Sequence, residues 1–336
     1  MRYHTLGSAG VQVSELCLGA MMFGGATPEA ESIHIIHRAI DDGINFIDTA
    51  NIYAKGESER IVGKAIRDRR DRVVLATKVR VAVGDRPNES GSSRYHILRE
   101  ADNSLRRLGL DHIDLYYLHQ YDFSTRLEES LRALDDLVRH GKVRYVGCSN
   151  FYAFQVCEGL WLADRLNLEP FACVQPLYNI VNRDPEVELL PMCRDHGIGV
   201  VAYSPLARGV LTGKYRPGEK PPEGSRAARG DTRIHQTELR EDSFRVAVEL
   251  GRLAQKKSVP LSQLAVAWVL ANPIVTSAII GPRTLEQYED YLHSLECKIT
   301  PEDEAFIDGL VPPGEHTGWG FTDPNYPVRG RPGGKP

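Results

Sequence analysis

Eight short apolar runs punctuate the chain, and between them apolar residues return every three or four positions. The runs are LCLG (16–19), INFID (44–48), RVVLATK (72–78), HIDLYYL (112–118), VRYVGCS (143–149), ACVQ (172–175), IGVVAYS (198–204) and TSAII (276–280). They are continuous rather than alternating, the pattern of strands buried on both faces. The stretches between them carry helix signals. Thr27 and Pro28 open a segment with Ile33, Ile36 and Ile40 on one face, and Gly43 closes it. Ile97, Ala101, Leu105 and Leu108 recur at helical spacing and stop at Gly109. Thr125 and Glu128 form a capping-box pattern before Leu131, Leu134 and Val138, which stop at Gly141.

Strand–helix alternation with short connections predicts a parallel sheet, and eight repeats predict a closed α/β structure, a (β/α)8 TIM barrel in one domain over residues 1–336. An open doubly wound sheet is the alternative. Its GxGxxG turn is missing, because the first run continues as LGAMMFGG. Two segments break the rhythm. Residues 208–242 are rich in Gly, Pro, Arg and Glu with no clear apolar period, which predicts a long loop on the upper rim after the seventh strand. Residues 312–336 predict an irregular tail, with Trp319, Phe321 and Tyr326 available to anchor it over the mouth of a site, where it would help choose the substrate.

Composition narrows the class. The 336 residues include 41 basic and 45 acidic side chains, a formal net charge of −4. With the two signs interspersed, no nucleic-acid or membrane-surface partner is expected. Oligomeric state is not legible. The six cysteines form no CxxC and have no His at metal-ligand spacing, so no metal is expected. Cys17, Cys148 and Cys173 fall in or beside apolar strands and read as small buried hydrophobes. The first residues, MRYHTLGSAG, lack an apolar leader core, and no run approaches 18 apolar residues. The expected setting is cytoplasmic and reducing.

Candidate chemistry concentrates at strand ends. Asp48 and Tyr53 lie in FIDTANIYAKGESE, Lys78 in VVLATKV and His119 in IDLYYLHQ, at or just past the ends of the second, third and fourth runs. Taken singly they read as a turn former, a packed aromatic, a surface charge and an interior histidine. Together they occupy the face where a barrel places its active site. A phenol, an ammonium, a carboxylate and an imidazole there can deliver a proton to a carbonyl.

DTANIYAKGESE, LATKV, DLYYLH, GKVRYVGCSNF, VQPLYN, AYSPLARGVLTGKY and IIGPRTLEQ, in this order, resemble the motifs of the aldo-keto reductase superfamily over roughly residues 2 to 310. The resemblance implies hydride transfer from a reduced nicotinamide to a small-molecule aldehyde, ketone or sugar-like carbonyl. Tyr53 would donate the proton. A lysine about 4 Å away, at an effective dielectric of ~20, favours the phenolate by about 4 kcal/mol before desolvation losses. That would lower the phenol's pKa by up to about three pH units. Asp48 would hold Lys78 charged, and His119 would orient the carbonyl oxygen.

By the same resemblance Gly19, Ala20, Met21, Asp48, Ser149, Asn150 and Gln175 would meet the nicotinamide end, and Tyr203 would stack on its ring. Ser204, Leu206, Gly209 and Lys214 would meet the pyrophosphate, and Gly281, Arg283 and Gln287 the adenosine end. Asn150 has a competing reading as the N-cap of a helix from Phe151, and Thr284 with Gln287 as a capping box. Arg283 at a helix start suits a phosphate monoester and points to NADP(H) over NAD(H). Two departures stand out: Tyr291 where the family often has Asn, and aromatics in the run from His119 to Phe123 where it commonly has prolines. Met22, Phe23 and Tyr121 are expected at an apolar pocket mouth. The alternatives are an NADP-linked alcohol dehydrogenase, a redox-sensing regulatory subunit, and a lysine-based aldolase, which Asp48 opposes by keeping the amine protonated.

Overall fold

A computed structural model describes residues 1–318 and 323–326, so Trp319 and Phe321 lie outside the described residues. A hairpin of β1 (Tyr3–Thr5) and β2 (Gln12–Ser14) opens the chain. Then come β3 (Leu16–Gly19), β4 (Phe46–Asp48), β5 (Val74–Val79), β6 (Ile113–Leu118), β7 (Val143–Ser149), β8 (Phe171–Gln175), β9 (Gly199–Ala202) and β10 (Ser277–Ile280). These eight pair in parallel in chain order, and β10 closes the barrel on β3, with Ala278 opposite Leu16. Each predicted run overlaps one of them; β5 runs one residue past its run, to Val79, and β8 starts one residue before its run, at Phe171. The protein is a (β/α)8 TIM barrel.

The helices around it are α1 (Glu29–Asp41), α2 (Glu57–Ala65), α3 (Arg94–Leu108), α4 (Leu127–Arg139), α5 (Ala153–Leu166), α6 (Leu189–Asp195), α7 (Thr232–Gln236), α8 (Glu241–Lys256), α9 (Leu261–Ala271), α10 (Leu285–His293) and α11 (Pro301–Leu310). Among the described residues, no helix is long and apolar enough to cross a membrane. Two predicted caps are not used. Pro28, not Thr27, sits at the N-cap of α1, and the Thr27 hydroxyl donates to the Arg283 carbonyl. Arg126 precedes α4 because the Asp122 carboxylate takes the Thr125 hydroxyl at 2.8 Å, along with the Ser92 and Ser124 amides. The predicted loop 208–242 contains α7, capped by Asp231, whose carboxylate accepts from the Ile234 amide.

Strand alternation sorts side chains into two layers. Outward residues such as Leu18, Ile47, Leu75, Tyr116, Val146 and Val174 join the helices in the main core. Inward residues Cys17, Phe46, Ala76, Leu115, Tyr117, Cys173 and Val201 fill the barrel axis. Leu6 and Val13 of the hairpin join that inner cluster, so the hairpin closes the barrel floor. Two residues further along their strands, the same inward parity reaches Gly19, Asp48, Lys78, His119, Gln175 and Tyr203. The period of two therefore delivers polar groups to the top of an apolar plug.

Candidate active site

Lys78 is fully buried. Its ammonium donates to an Asp48 carboxylate oxygen, to the Thr49 carbonyl at 2.8 Å and to the Tyr53 hydroxyl at 3.4 Å. The other Asp48 oxygen accepts from the Gln175 amide at 2.9 Å. Burying a cation is unfavourable unless it is paired and hydrogen-bonded, and this one is both. The Tyr53 ring lies 5.0 Å from the ammonium and meets the His119 ring edge-on at 5.8 Å. Tyr53 starts a tight turn, Tyr53–Gly56, in which Ala54 (φ 48°) and Lys55 (φ 57°) are left-handed. Such residues cost on the order of 1–3 kcal/mol each and persist only where surrounding contacts hold them. The structure thus brings Asp48, Tyr53, Lys78 and His119 into one cluster.

The electrostatics differ from expectation at the phenol. Burial raises the Tyr53 pKa; Lys78 pulls it down and Asp48 adds to the rise, and the net direction is up. The predicted net lowering by Lys78 is therefore corrected: desolvation of the phenolate outweighs the ammonium. Tyr53 holds its proton at neutral pH, and the ammonium limits the cost of releasing it. For Lys78, burial favours the neutral amine, but Asp48 and Tyr53 outweigh it and raise its pKa. Burial, then Lys78 and Arg80, hold His119 well below the usual histidine value, so its ring is neutral. The His119 Nδ1 is buried with no hydrogen-bond partner among the described residues.

These groups open into a cleft of 690 Å³ along the ends of the barrel strands. Its near end carries linked amides. Asn150 donates to the His119 carbonyl at 2.9 Å and to the Ser149 hydroxyl at 3.0 Å, and accepts from the Tyr203 hydroxyl at 2.8 Å. Asn150 does not cap a helix: α5 begins at Ala153 with Tyr152 as its N-cap, so that alternative is set aside. Left-handed Ser204, Ala207, Arg208 and Gly209 then turn the chain beneath the middle of the cleft.

The far end is basic. Burial, then Arg283, Arg226 and Arg229, lower the Lys214 pKa. Cations crowded this closely fit a polyanion such as a dinucleotide's phosphates. Arg283 also donates to the Gly224 carbonyl at 3.3 Å, which ties the 208–242 segment back over α10. Thr284 caps α10, but Gln287 reaches the Arg283 amide rather than that of Thr284, so the predicted box forms only in half.

Gly19, Met21, Met22, Ser149, Gln175, Leu206, Gly209, Gly281 and Gln287 also line the cleft. Ala20 and Phe23 do not. Phe23 is fully buried among the helices, because its amide bonds back to the Ala20 carbonyl and turns the ring into the core. Tyr121 packs on Phe123 and Phe151 at 4.9 and 5.2 Å, outside the lining. The expected apolar mouth of Met22, Phe23 and Tyr121 thus keeps only Met22. Sequence reasoning missed Arg208, Arg226, Arg229, Arg233 and Asn325, all of which line the cleft. The arginine density of 208–242 was the available signal. Asn325 had none.

The family model described as "Aldo/keto reductase family" matches residues 15–312. The chain is 40% identical to an uncharacterized oxidoreductase YrpG of Bacillus subtilis, over 94% of this chain and 98% of the relative. A probable voltage-gated potassium channel subunit beta of Oryza sativa is 37% identical, over 93% and 97% respectively. Versiconal hemiacetal acetate reductase of Aspergillus parasiticus is 33% identical, over 94% and 100%.

Proposed function

The chain belongs to the aldo/keto reductase family and is an NAD(P)H-dependent oxidoreductase; from that premise we propose that it reduces aldehyde or ketone carbonyls to alcohols with NADPH, with Tyr53 as the proton donor. The carrying observation is the Tyr53 hydroxyl, 3.4 Å from a buried ammonium at the head of the cleft. A reduced nicotinamide, when bound, supplies the hydride. Tyr53 supplies the proton: its O–H bond breaks as the carbonyl oxygen becomes a hydroxyl. At 3.4 Å and an effective dielectric of ~20, Lys78 favours the resulting phenolate by about 5 kcal/mol before desolvation. Neutral His119 orients the carbonyl oxygen. Asp48 keeps Lys78 charged, which also argues against imine chemistry at that amine.

The preference for NADPH rests on the cations around Lys214, which suit an additional phosphate monoester. One experiment tests both parts: nicotinamide oxidation followed with NADPH and with NADH against a carbonyl panel. Tyr53→Phe should lose at least ~100-fold in turnover with NADPH affinity retained, since one general acid is worth 10²–10⁴. Arg283→Ala should weaken NADPH by roughly 10-fold while barely changing NADH, about 1.4 kcal/mol. Near-normal turnover in Tyr53→Phe would refute the proton donor. Equal losses for the two cofactors in Arg283→Ala would refute the phosphate assignment.

A further inference from the structure

Behind β5, away from the cleft, two carboxylates are buried against one guanidinium. Glu59 on α2 is fully buried, and Glu100 on α3 is 2% exposed. Arg107 of α3 donates from Nε to Glu59 at 2.5 Å, and its Nη2 lies 3.5 Å from Glu100. Two buried carboxylates and a half-buried guanidinium are not needed to pack two helices, and apolar residues serve that end as well or better. What they touch is specific. The free Glu59 oxygen accepts from the Thr77 hydroxyl at 2.6 Å, and Thr77 is the neighbour of Lys78. Glu100 accepts from the Asn51 amide at 3.0 Å, and Asn51 stands two residues before Tyr53. The Asn51 backbone also donates to the Lys78 carbonyl at 3.3 Å.

The guanidinium bears on the strained turn as well. Gly56 closes it at φ 91°, and a Cβ there would lie 2.7 Å from Arg107 Cδ. The Arg107 stem is therefore packed against the turn that carries Tyr53. Each carboxylate grips one of the two chain segments that present the proton-transfer pair, and Arg107 fixes the carboxylates to each other.

We propose that Arg107, Glu59 and Glu100 are positioning residues that set the separation of Lys78 and Tyr53, acting through Thr77 and Asn51. The inference rests on the reading of Tyr53 as proton donor. The most selective lever is Asn51→Ala, which cuts the link to Glu100 and leaves the charged cluster intact. Glu100→Gln, nearly equal in volume, is the second variant and answers for Asn51→Ala should that chain fold poorly.

Measured on the whole chain, either variant should lower kcat at least ~10-fold, since a shift of about 1 Å at reacting groups can cost up to ~100-fold. NADPH affinity, read by fluorescence quenching, and the carbonyl KM should stay within about 3-fold, under ~0.7 kcal/mol. A merely structural role would move melting temperature without this split between kcat and KM. Arg107→Lys should retain more kcat than Arg107→Ala. The deciding arm is Asn51→Ala in the Tyr53→Phe background, where it should have almost no further effect on turnover. An undiminished loss there means Asn51 does not act through Tyr53 and overturns the inference while leaving the proton donor in place. Wild-type kcat in both single variants overturns it as well. A fully active Tyr53→Phe would instead remove the reading beneath it.

Discussion

At the scale of single residues, burial decides protonation. His119 is held neutral mainly by desolvation, so its folded-state pKa is depressed below the ~6.5 of an unfolded histidine. Between those two values the unfolded chain binds the extra proton, so stability is present above about pH 6.5 and is lost as the pH falls below it. His96 and His112 are shifted the same way, burial again being the first cause. The melting temperature should therefore drop between pH 6.5 and 5, and His119→Gln should flatten part of that drop; an unchanged slope would show that the ring carries none of it. The four clustered residues were legible because motif and strand-end position agree. The direction of the Tyr53 shift was not, since desolvation depends on what covers a group and the chain does not display its cover. Nor were the orientations of Phe23 and Tyr121, which backbone turns and neighbouring rings decide.

At the scale of elements, helix contacts around the barrel set the positions of the strand-end loops. α2 crosses α3 at Gly63, where a Cβ would lie 1.9 Å from the Leu108 carbonyl oxygen. Alanine is intrinsically the better helix former by about 1 kcal/mol. Gly63→Ala should nonetheless destabilise by roughly 1–3 kcal/mol in urea titration, because the helices must part. A stability equal to wild type would mean that the crossing yields freely. The eight barrel strands were readable because continuous apolar runs mark strands covered on both sides. The β1–β2 hairpin was not: its strands are three residues long, and Tyr3–Thr5 is exposed throughout. α7 was hidden for a similar reason, as five residues cannot establish a period.

At the scale of the whole molecule, distant segments meet over the cleft. The 208–242 segment is held to the C-terminal residues by Arg233, whose two Nη atoms donate to Asp323 at 2.9 and 3.0 Å. Asn325 then accepts from Gln120 at 2.8 Å and donates to Asn150 at 3.3 Å. Residues just before this are integral to the fold: the Thr317 amide donates to the Val181 carbonyl, and Arg183 to that of Glu315. A cut at Pro312 would therefore damage packing, whereas ending the chain after Gly318 isolates the contribution over the cleft. That shortened protein should change carbonyl KM at least ~3-fold, about 0.7 kcal/mol, while its melting temperature moves by less than roughly 3 °C. Unaltered kinetics across a carbonyl panel would leave the tail without a part in substrate choice. Contacts separated by two hundred positions leave no periodic trace, which is why Asn325 escaped a reading built on local pattern.

The hairpin that stops the barrel floor has a consequence for timing. Below Lys78 the axis is filled by Phe46, Leu115, Tyr117, Leu6 and Val13, and the Tyr117 hydroxyl there accepts from the Cys173 thiol at 3.2 Å. On the role proposed for Tyr53, its phenolate would be recharged from the cleft it lines, through the opening that the alcohol must vacate. On that proposal hydrogen uptake and product departure share one doorway, and reloading follows release.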